Sequence, residues 1–125
     1  MTGPNNRTVL VVDDDEDVRD LICTTLACGG YPAVTAGNGR EALDYLRSAP
    51  APPRLVLLDM MMPEMNGWEF LSVRAGEPAL AAIPVAIITA VPAVEGRAPE
   101  LNAVDVLIKP SRMESLLTLV GRICA

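Results

Sequence analysis

The chain has 125 residues and a formal net charge of -6. That is room for one domain with one core, and it lacks the basic stripe that direct nucleic-acid binding requires. Half of the residues are hydrophobic, yet there are only one Phe, one Trp and two Tyr, so the core is expected to be aliphatic. The absence of histidine removes histidine general-base catalysis and argues against a zinc site.

Residues 1–7 are polar, without the apolar centre of a signal peptide, and read as a disordered tail ahead of a domain over 8–125. Residues 9–13 read as a buried strand, because the apolar run Val9-Leu10-Val11-Val12 does not alternate. Residues 15–28 read as a helix with Val18, Leu21, Ile22, Thr25 and Leu26 on one face. Its acidic start suits the helix dipole, and Gly29-Gly30 stops it. Cys23, Cys28 and Cys124 have no CxxC spacing and read as reduced thiols of a cytoplasmic protein, with Cys23 and Cys28 as core or half-buried filler.

Residues 31–36 form a weaker strand and 39–48 a helix with Ala42, Leu43 and Leu46 inside. The proline-rich piece 49–53 is a connector. Residues 55–59 make the most convincing strand, and 67–75 a short helix with Phe70, Leu71 and Arg74 at helical spacing. Residues 84–90 are another buried strand. In 91–103, Pro92, Gly96 and Pro99 oppose a long helix, so a short or irregular one is expected. Residues 104–108 form the last strand. Met113, Leu116, Leu117, Val120 and Cys124 stripe a final helix capped by Ser111. The longest apolar stretch, 83–94, is broken by Pro84, Thr89 and Pro92 and falls short of the roughly 18 residues of a membrane span. Five strands alternating with about five helices imply right-handed crossovers and a doubly wound α/β parallel sheet with helices on both faces.

In such sheets ligands bind outside the carboxyl ends of the strands, and the polar residues converge there. Asp13 and Asp14 follow the first strand and Asp59 ends the third, while Thr89 and Lys109 close two more. Carboxylates crowded in one crevice repel unless a cation joins them. Mg²⁺ fits best, since it prefers oxygen and uses few carboxylates. A carboxylate can also be a nucleophile that forms an aspartyl phosphate. Asp59 is the candidate for that role, with Lys109 as the fixed ammonium and Thr89 as a hydroxyl donor to the phosphoryl group. Taken singly, each residue has a plainer reading. Asp15 serves as a helix cap, Glu16 and Asp17 are solvated, Thr89 is a strand residue, and Met60-Met61-Met62 is packing and loop filler.

Val11-Val12-Asp13-Asp14, Leu57-Leu58-Asp59 through Asn66-Gly67, Ile87-Ile88-Thr89-Ala90 and Ile108-Lys109-Pro110 resemble the receiver domain of two-component response regulators, in order and in spacing. The resemblance runs from about Thr8 to Ile123. It implies a flavodoxin-like sheet of order 2-1-3-4-5 and a phosphoacceptor module rather than an enzyme. Asp59 would take a phosphoryl group from a histidine kinase or a histidine phosphotransfer protein. Asp14 and Asp13, with Asp59 and the backbone carbonyl of Met61, would hold Mg²⁺. Lys109 would pair with Asp59 and then with the phosphoryl group, Thr89 would report its presence, and the Lys109–Pro110 bond would be cis. A downstream protein would be the output partner of a monomer or weak dimer, with no direct nucleic-acid or membrane contact.

The chain departs from the family pattern in places. Val106 stands where an aromatic usually lies three residues before the lysine, and Ser111 where Phe is frequent. A valine has no ring to rotate, so switching is expected through ordering of the 91–106 segment. Met61 and Val91 cannot hold an attacking water by hydrogen bonds, so self-dephosphorylation is expected to be slow. Two other readings compete. One is a degenerate receiver that only binds protein. The other is a small phosphatase of the haloacid dehalogenase type, for which Asp13-x-Asp15 has the nucleophile spacing but Asp59 has no role.

Overall fold

The computed structural model describes residues 7–90, 97–109 and 113–124. Residues 1–6 of the expected tail, residues 91–96 of the expected irregular helix over 91–103, the Ser111 cap and the Lys109–Pro110 bond lie outside them. Five parallel strands, β1 (Val9–Val12), β2 (Ala33–Ala36), β3 (Leu55–Leu58), β4 (Val85–Thr89) and β5 (Asp105–Ile108), form one sheet in the order β2-β1-β3-β4-β5. The helices are α1 (Glu16–Cys28), α2 (Gly39–Ser48), α3 (Gly67–Ala75), the single turn α4 (Pro78–Ala81) and α5 (Met113–Cys124).

The pleat sorts alternate strand residues to opposite faces. Leu10, Val12, Val56, Leu58, Val85 and Ile87 pack with Leu43 and Leu46 of α2 and with Phe70 and Leu71 of α3. Val9, Val11, Leu55, Leu57, Ala86 and Ile88 pack with Ile22 and Leu26 of α1 and with Leu116, Leu119 and Val120 of α5. Continuous apolar runs are therefore what β1, β3 and β4 require, since both of their faces are covered. Among the described residues, Phe70 on one face and Tyr31 on the other are the buried rings of a core that is otherwise built mainly from aliphatic side chains.

Some expectations are corrected. Leu21 is 64% exposed, because α1 seats on the sheet through Ile22, Thr25 and Leu26 and leaves its flank to solvent. Cys28 is exposed at the end of the same helix rather than core filler. Leu119 joins the buried stripe of α5. The turn α4 had no counterpart in the sequence reading, although Pro78 at its first position suits a helix start. In the described part of 91–103, the expected irregular helix is a 3-10 turn, Pro99–Leu101, which ends on Asn102 in the left-handed region at φ 55°.

Arg74 has its guanidinium in the interior, against expectation for a charged residue. It donates to the carbonyls of Ile83 at 2.8 Å, Ala81 at 3.1 Å and Asn102 at 3.4 Å. The side chain thus joins the end of α3 to the entry of β4 and to the approach of β5. Burial pulls its pKa below the usual arginine value.

Candidate functional site

The register builds the site. Val12 and Leu58 are partners across β1 and β3, so the next residues, Asp13 and Asp59, leave the sheet side by side. The Asp59 amide donates to the Val12 carbonyl at 2.9 Å, and the Asp13 amide to the Ala36 carbonyl at 3.1 Å. On the other side Thr89 pairs with Ile108, and the Lys109 amide donates to the Thr89 carbonyl at 2.8 Å. Asp13, Asp59 and Lys109 each stand one residue past a strand end at the same pleat position, so all three point toward the α1 and α5 side.

Asp13, Asp59 and Thr89 are buried and Asp14 is exposed. One carboxylate oxygen from each of Asp13, Asp14 and Asp59 lies within 4.8 Å of the others. A divalent cation with oxygen ligands at about 2.1–2.5 Å spans about 4–5 Å between opposite ligands, so this donor set suits one hard ion. Lys109 reaches in from β5. Its Nζ is 2.6 Å from Asp13 Oδ2 and 3.6 Å from Asp59 Oδ2.

Burial pushes the Asp59 carboxyl above the ordinary carboxylate range. Repulsion from Asp13 adds to the shift, while Lys109, the Met61 amide and the Thr89 hydroxyl oppose it. The Met61 amide donates to Asp59 Oδ1 at a long 3.4 Å. Met61 itself is 60% exposed, whereas Met60 and Met62 are buried. The three methionines therefore divide into two core anchors and one exposed rim residue.

All the strand-end residues expected from the sequence come together. Asp15 is the cap of α1, accepting from the amides of Asp17 and Val18, and Glu16 and Asp17 are exposed. Two supports were not anticipated. Arg19 Nη1 donates to the Asp13 carbonyl at 2.7 Å, holding the end of β1. Gly67 starts α3 hard against the residues that leave β3: a Cβ there would lie 2.5 Å from Met60 Sδ, 2.7 Å from Met60 Cα and 2.9 Å from the Asp59 carbonyl. The Asn66-x-x-Glu69 pattern, which forms a full capping box on α3, is a readable signal for that start.

A fold and site of this kind define a phosphorylation-type receiver module, and the comparisons agree. The model of the response regulator receiver domain matches residues 9–121, and the chain belongs to that family. Response regulator MprA of Mycolicibacterium vanbaalenii is 39% identical over 111 residues, covering 87% of this chain and 46% of that protein. The chemotaxis protein CheY4 of Vibrio cholerae superposes with a TM-score of 0.80 at 30% identity, covering 93% of this chain and 97% of that one. A receiver domain of a signal transduction histidine kinase from Syntrophus aciditrophicus gives 0.83 at 31% identity, with 94% and 89% covered. The chain spans between 26 and 49% of the length of the transcriptional-regulator relatives that it matches, and 88% of a 14.6 kDa relative from Leptolyngbya boryana. It is a receiver domain of the two-component response regulator type. No helix among the described residues is long and apolar enough to cross a membrane.

Proposed function

We propose that Asp59 is the phosphoacceptor of a two-component relay, charged by a histidine kinase or a histidine phosphotransfer protein. The observation that carries this reading is the meeting of Asp13, Asp14 and Asp59 within 4.8 Å, with the Lys109 ammonium beside two of them. An Asp59 carboxylate oxygen attacks the phosphorus of a phosphohistidine. The new O–P bond forms as the P–N bond breaks, and the electron pair leaves on the imidazole nitrogen, which takes up a proton.

Asp13, Asp14 and Asp59, with the Met61 carbonyl, would hold Mg²⁺, which supplies neutralisation of the carboxylates and of the phosphoryl oxygens. The chain's own groups do the rest. Lys109 lies within reach of both buried carboxylates, so its ammonium can turn to the phosphoryl oxygens without leaving the site. The Thr89 hydroxyl, already bonded to Asp59, transfers its hydrogen bond to the new phosphoryl group. Burial of Asp59 keeps water away from the acyl phosphate. The protein turns over no separate substrate in this reading. Its product is its own modified state, read by a downstream protein in the cytoplasm.

Incubation with Mg²⁺ and acetyl phosphate, followed by intact-mass measurement, tests the proposal. The wild type is expected to gain one phosphoryl group, and Asp59→Asn none. A wild type without mass gain, or an equal gain in Asp59→Asn, overturns it.

A further inference from the structure

The loop between Asp59 and α3 has no regular structure, yet it supplies the Met61 carbonyl. Met61, Pro63 and Glu64 are exposed, so side-chain packing at these three positions holds the loop only weakly. Hydrogen bonds take over that task. The Gly67 amide donates to the Met60 carbonyl at 3.0 Å, and the Gly39 amide to the Met65 carbonyl at 3.1 Å. Between these ties, Asn38 Nδ2 donates to Glu64 Oε2 at 2.9 Å. Glu64 sits in the left-handed region at φ 62°, a conformation that non-glycine residues adopt only when their surroundings hold them there.

Asn38 is buried and uses both ends of its amide. Its Oδ1 accepts from the Glu41 amide at 2.9 Å, capping α2, while its Nδ2 holds Glu64. Gly39, the next residue, has no room for a side chain: a Cβ would lie 2.8 Å from Met65 Cγ and 2.9 Å from the Met65 carbonyl. The start of α2 is therefore clasped directly onto the acceptor loop.

We propose that Asn38 is a positioning residue for the acceptor site, fixing through Glu64 the loop that presents the Met61 carbonyl to a divalent cation. This rests on the reading of Asp13, Asp14, Asp59 and Met61 as the metal ligands. Supports outside the ligand set orient the ligands themselves, and their loss costs about 10–100-fold in metal affinity.

Asn38→Asp isolates the clasp. It keeps the oxygen that caps α2, removes the donor to Glu64, and sets a carboxylate against a carboxylate. Adding Glu64→Gln reverses the pair, since the introduced amide can donate to the introduced carboxylate, and it returns the net charge to that of the wild type. Mg²⁺ binding by calorimetry and amide exchange of residues 60–66 without metal are the two measurements. Asn38→Asp is expected to weaken Mg²⁺ binding about tenfold and to speed exchange of the loop, and the double substitution to restore both. Wild-type affinity in Asn38→Asp, or a folded double variant that still binds weakly, overturns the proposal. Should Asn38→Asp not fold, the double variant alone decides. A wild type that takes up no Mg²⁺ defeats the metal reading and the Asn38 assignment with it. Loop exchange that is unchanged by Asn38→Asp defeats the clasp while leaving the metal reading intact.

Discussion

Lys109 lies closer to Asp13 than to Asp59: its Nζ is 2.6 Å from Asp13 Oδ2 and 3.6 Å from Asp59 Oδ2. One ammonium thus serves two buried carboxylates. Removing it leaves both without that neutralisation. Lys109→Met is expected to lower stability by about 2 kcal/mol in chelator, less than for a fully buried pair because Lys109 is partly solvated. Mg²⁺ should recover much of the loss. Urea unfolding with and without Mg²⁺ measures this, and unchanged stability in chelator would contradict it.

Asp59 gives a pH dependence of defined sign. Its folded pKa is raised, with burial as the largest cause. The folded state therefore holds this proton to higher pH than the unfolded chain does, and stability is lost as pH rises from the unfolded value through the folded one. Asp59→Asn removes that loss. It is expected to raise the melting temperature at pH 7 in chelator, with the gain fading below about pH 4, where both states are protonated. Mg²⁺ should shrink the gain at pH 7, because the wild-type carboxylate then has a cation. A gain that grows on acidification would reverse the sign and refute the assignment.

Gly67→Ala tests the fit of α3 against the end of β3. Alanine is the better helix former by about 1 kcal/mol, yet its Cβ would meet backbone atoms of Asp59 and Met60 at 2.9 and 2.7 Å. Overpacking should win, with a net destabilisation of about 1–2 kcal/mol and slower phosphorylation by acetyl phosphate. Stabilisation by this substitution would mean that the helix start has room to move.

Met61 sets the exposed rim of the site and offers no hydrogen bond to a water near the phosphoryl group. Met61→Asn is expected to speed loss of the phosphoryl group severalfold, well short of the roughly 10²–10⁴-fold that positioned proton-transfer groups reach. Decay of the phosphorylated species followed by mass is the readout. Equal lifetimes would show that Met61 only covers the loop.

Val106 is half-buried and packs against the Phe70 side of the core, and a valine has no ring that could rotate in response to a phosphoryl group on Asp59. Structures with and without a phosphoryl mimic are expected to differ in the segment between Thr89 and Val106. An unchanged segment would remove this route of switching.

The strand-end site was legible because its residues interrupt apolar runs. Val12 to Asp13, Leu58 to Asp59 and Ile108 to Lys109 are abrupt changes from apolar to charged; the β1–β3 register sets the two aspartates side by side, and the long Lys109 side chain reaches them from β5. Leu21 shows the limit of such reading. Helical spacing places it near Ile22 and Thr25, but how wide a stripe is covered depends on how α1 is seated, and periodicity does not encode that. The supports were harder still. Arg19 to the Asp13 carbonyl reaches back six residues and Asn38 to Glu64 crosses 26, each by a single hydrogen bond, and polar residues at these positions read as surface or cap. Arg74 shared its helical spacing with Phe70 and Leu71, but only the folded chain brings three carbonyls to its guanidinium.

That guanidinium also bounds how a signal can travel. Arg74 grips the carbonyl of Asn102, just past the Pro99–Leu101 turn, together with Ala81 and Ile83 beside β4. A displacement that reached Asn102 would have to move the entry of β4 with it, because one side chain holds the approaches to both strands.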